Sequence, residues 1–190
     1  MKKTSLLVAM LVTTATTLLQ AQPFKKGTNV LSAGIGFGSS IGSGYSGTQS
    51  PAISVQYEKS LWEVNDIGVI SLGGYAGRKS FSGSSKSGSF SYSQKWNYTI
   101  IGLRSAFHYT GINSHKLDVY AGAIWSYNML SYKFRDNSGN SSVYNAHNYG
   151  STAGFTGYIG GRYFFKEKLS VFAELGYGVS YITAGLSFKF

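Results

Sequence analysis

Four charged side chains stand alone on stretches of sequence that otherwise alternate between apolar and small polar residues: Glu58, Arg104, Arg162 and Glu174. In the alternation, each of the four occupies a position of the kind held by glycine, serine, threonine or tyrosine, and not one of the positions held by apolar residues. An ion held away from water costs several kcal/mol unless it is paired. Two acids and two bases therefore predict an enclosed, ion-paired interior with no steady open channel, in which Arg162 reaches Glu174 on the next strand.

Groups that could hold a metal or catalyse a reaction are sparse. The sequence has no Cys, and His108, His115 and His147 fall at opposite ends of the elements predicted below, so they cannot share a metal ion. His147 lies near several serines that could imitate a Ser–His pair, but serine is abundant throughout the chain. The sequence predicts no enzyme, no metal and no cofactor, with an outer-leaflet lipid-modifying enzyme as the less favoured alternative.

A run of cations without an intervening acid comprises Arg78, Lys79, Lys86 and Lys95. Basic clusters near a membrane surface attract anionic headgroups. One interpretation is therefore contact with the phosphates of lipopolysaccharide at the outer surface. The alternative is that these side chains are hydrated charges in a loop, since exposed ion pairs are worth only about 0–1 kcal/mol.

The first residues have the layout of an export signal. Lys2 and Lys3 precede an uncharged apolar and Thr-rich run, and Ala21 offers a small residue for cleavage. This pattern predicts a signal peptide over 1–21 and a mature chain over 22–190. The net charge of +10 falls to +8 without the two leader lysines. An exported protein rarely meets nucleic acid, so anionic lipid headgroups are the more expected partner of this basic chain. The alternative is that these are solvated charges in loops.

Composition and periodicity indicate a sheet that faces lipid. Charged residues make up 13% of the chain, about half of the roughly 25% typical of soluble domains. A mean hydropathy of −0.06 excludes a helical membrane bundle, whereas 25 Gly, 15 Tyr and 12 Phe suit a closed sheet. Period-two alternation is clearest at the end, where Ile182, Leu186 and Phe190 share one face.

Alternation predicts eight strands: 28–40, 51–60, 67–79, 93–109, 116–134, 148–165, 168–177 and 180–190. Long connections (41–50, 80–92, 135–147) alternate with short ones (61–66, 110–115, 166–167), as in transmembrane barrels, although the last outer connection is short. The facing of 67–79 is ambiguous. The fold class predicted is all-β, an eight-stranded antiparallel up-and-down transmembrane β-barrel with both termini in the periplasm.

Aromatic residues cluster near the strand ends, where interfacial girdles form. Those expected near the short turns are Trp62, Tyr109, Tyr163, Phe165, Phe188 and Phe190, and those expected toward the long loops are Tyr45, Trp96, Trp125 and Tyr127. The faces opposite the apolar ones hold Gly, Ser, Thr and Tyr rather than the many Lys and Glu of a water-facing surface. These faces are typical of a narrow polar barrel interior.

With its signal peptide, alternating segments and C-terminal Gly185–Phe190, the chain resembles the small outer-membrane β-barrels of Gram-negative bacteria, the OmpA/OmpX-like eight-stranded proteins. The ending, with Leu186, Phe188 and Phe190 at alternate positions, resembles the signal read by the outer-membrane assembly machinery. The resemblance implies an outer-membrane location and a monomeric barrel, but no single activity. A structural or surface-interaction role through the outer loops is expected; the alternative is a narrow pore or transport of small apolar molecules.

Overall fold

The computed structural model describes residues 24–41, 47–65, 67–87, 90–112, 114–136, 141–145 and 151–190. The predicted signal peptide, Tyr45 and His147 lie outside these residues. The described residues form ten strands: β1 (Asn29–Phe37), β2 (Thr48–Gln49), β3 (Ala52–Val64), β4 (Gly68–Ser87), β5 (Phe90–Tyr109), β6 (Leu117–Asp136), β7 (Ser141–Asn145), β8 (Thr152–Phe164), β9 (Leu169–Tyr177) and β10 (Ile182–Lys189). No helix in this part of the chain is long and apolar enough to cross a membrane.

Eight of these strands close into a barrel. Each of β1, β3, β4, β5, β6, β8, β9 and β10 pairs antiparallel with the next. The circle closes where β1 pairs with β10, from Val30 opposite Lys189 to Phe37 opposite Ile182. The prediction of an eight-stranded antiparallel up-and-down barrel is confirmed. We call the end that carries connections 65–67, 110–116 and 165–168 the turn end, and the opposite end the loop end.

The β4–β5 hairpin is longer than predicted. The Ser- and Gly-rich stretch 80–92 was expected to be a loop, but the two strands stay in register up to Ser87 opposite Phe90. That prediction is wrong because the stretch also carries large inward residues: Phe81 packs edge-on against Tyr98 with ring centroids 5.8 Å apart. The short strands β2 and β7 lie in the other two predicted loops and pair with β4 and β6.

The predicted bounds of the other strands are mostly correct to within a few residues. The clearest exception is β3, which was expected to end at residue 60 but continues to Val64. A register shift between Ser60 and Trp62 accommodates this extension, as expected of a β-bulge near the rim of a barrel.

Outside the irregularity at Ser60–Trp62, side chains alternate between the two faces of the wall. On β4, whose facing was ambiguous, Val69, Ser71, Tyr75 and Lys79 point into the barrel. The outward face presents exposed apolar residues from every wall strand, among them Leu31, Ile35, Ile53, Val55, Leu72, Ile101, Leu103, Trp125, Phe155, Ile159, Val171, Leu175, Ile182 and Leu186. We call this set the apolar belt.

Aromatic side chains flank the apolar belt. At the turn end the exposed aromatics include all six that were expected there: Trp62, Tyr109, Tyr163, Phe165, Phe188 and Phe190. Tyr127 and Trp125, the latter itself part of the belt, are exposed nearer the loop end. The girdle prediction is wrong for Trp96, which packs partly buried against the apolar side chains inside the barrel because its parity on β5 turns it inward.

Adjacent glycines on β4 give a matched test of how tightly the wall is packed. A methyl group on Gly73 would overlap the carbonyl oxygen of Tyr57, whereas one on Gly74 would meet no atom within 4 Å. We expect Gly73→Ala to destabilise the barrel by about 1–3 kcal/mol because the backbone must shift. Gly74→Ala should be neutral or stabilising by up to about 1 kcal/mol.

Urea unfolding of both variants in lipid vesicles measures this difference. Equal free energies of unfolding for the Gly73 and Gly74 variants would contradict the close approach of β3 and β4 at this position.

Candidate functional site

The centre of the barrel holds a buried ion-pair network built around Arg104 on β5. Its guanidinium is 0% exposed and donates through Nε to Glu58 Oε1 (2.5 Å) and through Nη2 to Glu174 Oε1 (2.6 Å). These acids come from β3 and β9, so the guanidinium spans the lumen rather than a single strand pair. Opposite charges at this distance in a dry interior compensate each other's loss of hydration.

Arg162 on β8 is the second cation of the network. It donates through Nη2 to Glu58 Oε2 (3.0 Å) and through Nη1 to Asp118 Oδ2 (2.7 Å), and it is 1% exposed. Glu58 thus bridges the two guanidinium groups. The predicted pairing of Arg162 with Glu174 is wrong. In the β8–β9 register Arg162 lies opposite Phe172, and its guanidinium extends to β3 and β6 instead.

Aromatic rings pack around these ions. The guanidinium of Arg104 lies 3.9 Å from the ring centroid of Tyr158, and that of Arg162 lies 4.9 Å from the ring of Tyr120. The Tyr120 hydroxyl also donates to Glu174 Oε1 (2.8 Å). Such cation–π contacts strengthen when both groups are desolvated. Tyr120, Tyr158 and Phe172 are all buried, as their parity predicts.

A hydroxyl–imidazole–carboxylate chain extends the network toward the turn end. His108 Nδ1 lies 2.8 Å from Asp118 Oδ1, and His108 Nε2 lies 3.0 Å from Ser71 Oγ. This is the connectivity of a nucleophilic triad. Ser71 and His108 are 0% and 1% exposed, however, and Phe24 stacks on the imidazole with centroids 3.7 Å apart. A substrate has no access to this serine, so the three side chains serve here as interior hydrogen-bond partners.

An apolar cluster lies in the lumen on the loop-end side of the ion pairs. It consists of the buried residues Tyr75, Phe81, Tyr98, Ile100, Ile124 and Val179, with Ile41, Trp96 and Leu130 packed against them. Between this cluster and the ion pairs, beside Gln56 and Glu174, lies a cavity of only about 20 Å³. That volume holds about one water molecule.

The predicted lipopolysaccharide contacts divide between the two faces of β4 and β5. Arg78, Lys86 and Lys95 are exposed. Lys79 is 1% exposed, donates to the carbonyl of Gly38 (2.5 Å) and lies 5.6 Å from the ring of Phe81. Its predicted contact with lipid phosphate is therefore wrong, because its parity on β4 turns it into the barrel.

The residues expected to form the assembly signal lie on the outer face of the last strand. Leu186, Phe188 and Phe190 are exposed, and the rings of Phe188 and Phe190 stack with centroids 6.0 Å apart. The backbone N–H of Phe190 donates to the carbonyl of Asn29 (3.0 Å), so the final residue takes part in barrel closure.

Four residues of the interior network and its extension were not predicted from sequence: Ser71, His108, Asp118 and Phe24. Ser71 lies on β4, whose facing was ambiguous. Asp118 shares the inward parity of Tyr120 on β6, which was a usable signal. His108 shares the parity of Arg104, but its position at a strand end had suggested a peripheral place. Phe24 precedes the first strand, so alternation carries no information about it.

Solved structures with the same architecture are similar to this chain at low identity. The N-terminal β-barrel domain of Pseudomonas aeruginosa OprF aligns with a TM-score of 0.49 at 12% identity, over 87% of this chain and 98% of that domain. Neisserial surface protein A aligns with a TM-score of 0.46 at 19% identity, over 86% and 95%. Ail, the attachment invasion locus protein of Yersinia pestis, aligns with a TM-score of 0.45 at 11% identity, over 87% and 96%.

No family model and no curated protein sequence matches the chain. These solved neighbours are small outer-membrane barrels, and the closed strand register of this chain makes it an eight-stranded barrel in its own right.

Proposed function

We propose that this chain is an integral outer-membrane β-barrel whose role is structural or one of surface interaction, exerted at its loop end. The observation that carries the proposal is the inversion of the two faces. The apolar belt is exposed on the outside, while Glu58, Arg104 and Arg162 are buried inside. A barrel in water would bury its apolar face and expose its charges, whereas a barrel in lipid does the reverse.

Three further features support an outer-membrane location. The predicted signal peptide would export the chain, and the aromatic ending at Phe190 suits recognition by the assembly machinery. Both described termini lie at the turn end, which is the periplasmic end of such barrels. The eight wall strands leave no unpaired edge among themselves, which favours a monomer surrounded by lipid and lipopolysaccharide.

Closure of the backbone hydrogen bonds should make the barrel resist SDS at room temperature. Unboiled protein from the outer-membrane fraction is expected to migrate differently from boiled protein in electrophoresis. Recovery in the soluble periplasmic fraction, with a single mobility under both conditions, would contradict the proposed membrane barrel.

Side chains of the described residues that fill the lumen favour the surface role over the alternative of a narrow pore. Arg104, Tyr120 and Tyr158 cross the middle of the barrel, and the apolar cluster lies on their loop-end side. We expect planar bilayers that contain the wild-type protein to show no stable single-channel steps. A porin reconstituted in the same bilayers serves as the positive control, and reproducible open levels for this protein would favour the pore instead.

A further inference from the structure

Five exposed cations lie on three neighbouring strands of the barrel wall, in the part of the wall nearer the loop end. We define the basic wall as Arg78 on β4, Lys86 at the far end of β4, Lys95 on β5, and Lys133 and Arg135 on β6. All five side chains are exposed. Because β4, β5 and β6 are neighbouring strands, these side chains belong to one continuous surface.

Two of these cations face each other directly. Lys95 and Lys133 are register partners on β5 and β6, so their side chains leave the same face about 5 Å apart at Cβ. Like charges placed this way destabilise a strand pair unless an anion lies between them.

No acid among the described residues is positioned to relieve this repulsion. The described acids are Glu58, Asp118 and Glu174 in the lumen, Glu63 and Glu167 at the turn end, and Asp136 at the far end of β6. Asp136 is three residues beyond Lys133 and alternates with Arg135, so it projects from the other face of β6. The lysine pair therefore offers a site for an external anion.

A hydroxyl-rich cleft lies beyond the lysine pair, toward the end of the hairpin. It has a volume of about 490 Å³ and is lined by Ser84, Ser85, Lys86, Ser91, Tyr92, Ser93, Arg135 and Asp136. Serine hydroxyls both donate and accept hydrogen bonds, as sugar hydroxyls require. Lys86 and Arg135 add charged donors suited to phosphate.

Below the lysine pair the same strands carry the apolar belt. Ile101 and Leu103 follow Lys95 on β5, and Trp125 and Tyr127 precede Lys133 on β6, all of them exposed. Six residues separate Lys95 from Ile101, a rise of about 20 Å along the strand. From the belt outward, this part of the wall thus presents apolar groups, then cations, then hydroxyls.

That order matches an amphiphile with acyl chains, phosphates and sugars in succession. We propose that the basic wall binds a phosphorylated glycolipid of the outer leaflet, with a phosphate between Lys95 and Lys133 and a sugar in the serine cleft. The inference rests on the outer-membrane insertion proposed above and names the lipid class that this surface selects.

Native mass spectrometry of the full-length barrel in detergent tests the proposal. The probes are bisphosphorylated lipid A, its monophosphorylated form and phosphatidylglycerol. Wild type should bind the bisphosphorylated form best. Lys95→Gln with Lys133→Gln should weaken that binding by about tenfold or more, since charge-assisted hydrogen bonds are lost. The control, Lys116→Gln with Lys168→Gln at the turn end, changes the net charge equally and should bind like wild type.

Three results would overturn the proposal. An equal loss of lipid A binding in both double variants would indicate attraction by net charge alone. Unchanged binding in the Lys95/Lys133 variant would show that these two lysines do not form the binding site. Tighter binding of a soluble sulfated polysaccharide than of lipid A, lost in the same variant, would assign the surface to a free polyanion. Failure of the proposed function is distinguishable, because it would appear as a soluble fraction and a single electrophoretic mobility before any lipid is added.

Discussion

Arg104→Ala is expected to destabilise the barrel more than any other substitution of a single interior charge. The change leaves Glu174 with only the Tyr120 hydroxyl and removes one of the two guanidinium partners of Glu58. Breaking a buried ion pair by deleting one partner costs about 3–5 kcal/mol, because the remaining charge stays buried. Urea unfolding in lipid vesicles gives the free energy of unfolding that checks this value.

Two variants make the measurement specific. Arg162→Ala should cost less than Arg104→Ala, because Glu58 keeps Arg104 and Asp118 keeps His108. Arg78→Ala removes an exposed arginine from β4 and should change stability by no more than about 0.5 kcal/mol. If Arg104→Ala and Arg78→Ala unfold at the same urea concentration, the interior charges do not stabilise the barrel as the geometry indicates.

Phe190→Ala is expected to reduce the amount of barrel in the outer membrane far more than it reduces stability. The ring is exposed beside Phe188, so its loss costs at most about 1.5–3 kcal/mol. If the C-terminal residue is also read during assembly, most of the protein should fail to insert in cells. Immunoblots of outer-membrane fractions measure the level, and refolding into detergent micelles measures the intrinsic ability to fold.

Phe165→Ala is the matched control for this effect. Phe165 is another exposed aromatic residue at the turn end, but it lies in the connection between β8 and β9. We expect near-normal outer-membrane levels for Phe165→Ala and near-normal refolding in vitro for both variants. Equal outer-membrane levels for the Phe190 and Phe165 variants would show that the final residue has no special part in assembly.

The architecture could be predicted because the two faces of each strand differ in residue type. Period-two alternation places Arg104 and Arg162 inside without any knowledge of which strands are neighbours. Which acid each arginine meets depends instead on register and on the reach of a long side chain across the lumen. For that reason Arg162 was assigned to Glu174, whereas it contacts Glu58 and Asp118.

Other errors arose where alternation was weak. Val69 and Ile70 are both apolar, and Gly73 and Gly74 carry no side chain. The early part of β4 therefore did not show which of its alternating residues point into the barrel, and so could not place Lys79 inside. The continuation of β4 and β5 through 80–92 was hidden by small residues typical of loops. Pairing between two long strands, rather than local propensity, decides the structure there.

The pairing of β1 with β10 determines when the barrel can close. Ala33 lies opposite Leu186, so the first wall strand waits for the last one to be synthesised. During translation every partial chain therefore retains two edges with free backbone donors and acceptors, which are prone to pair with other chains. Closure of the barrel must follow the synthesis of β10, and the unfinished chain needs to be kept from aggregating until that strand is available.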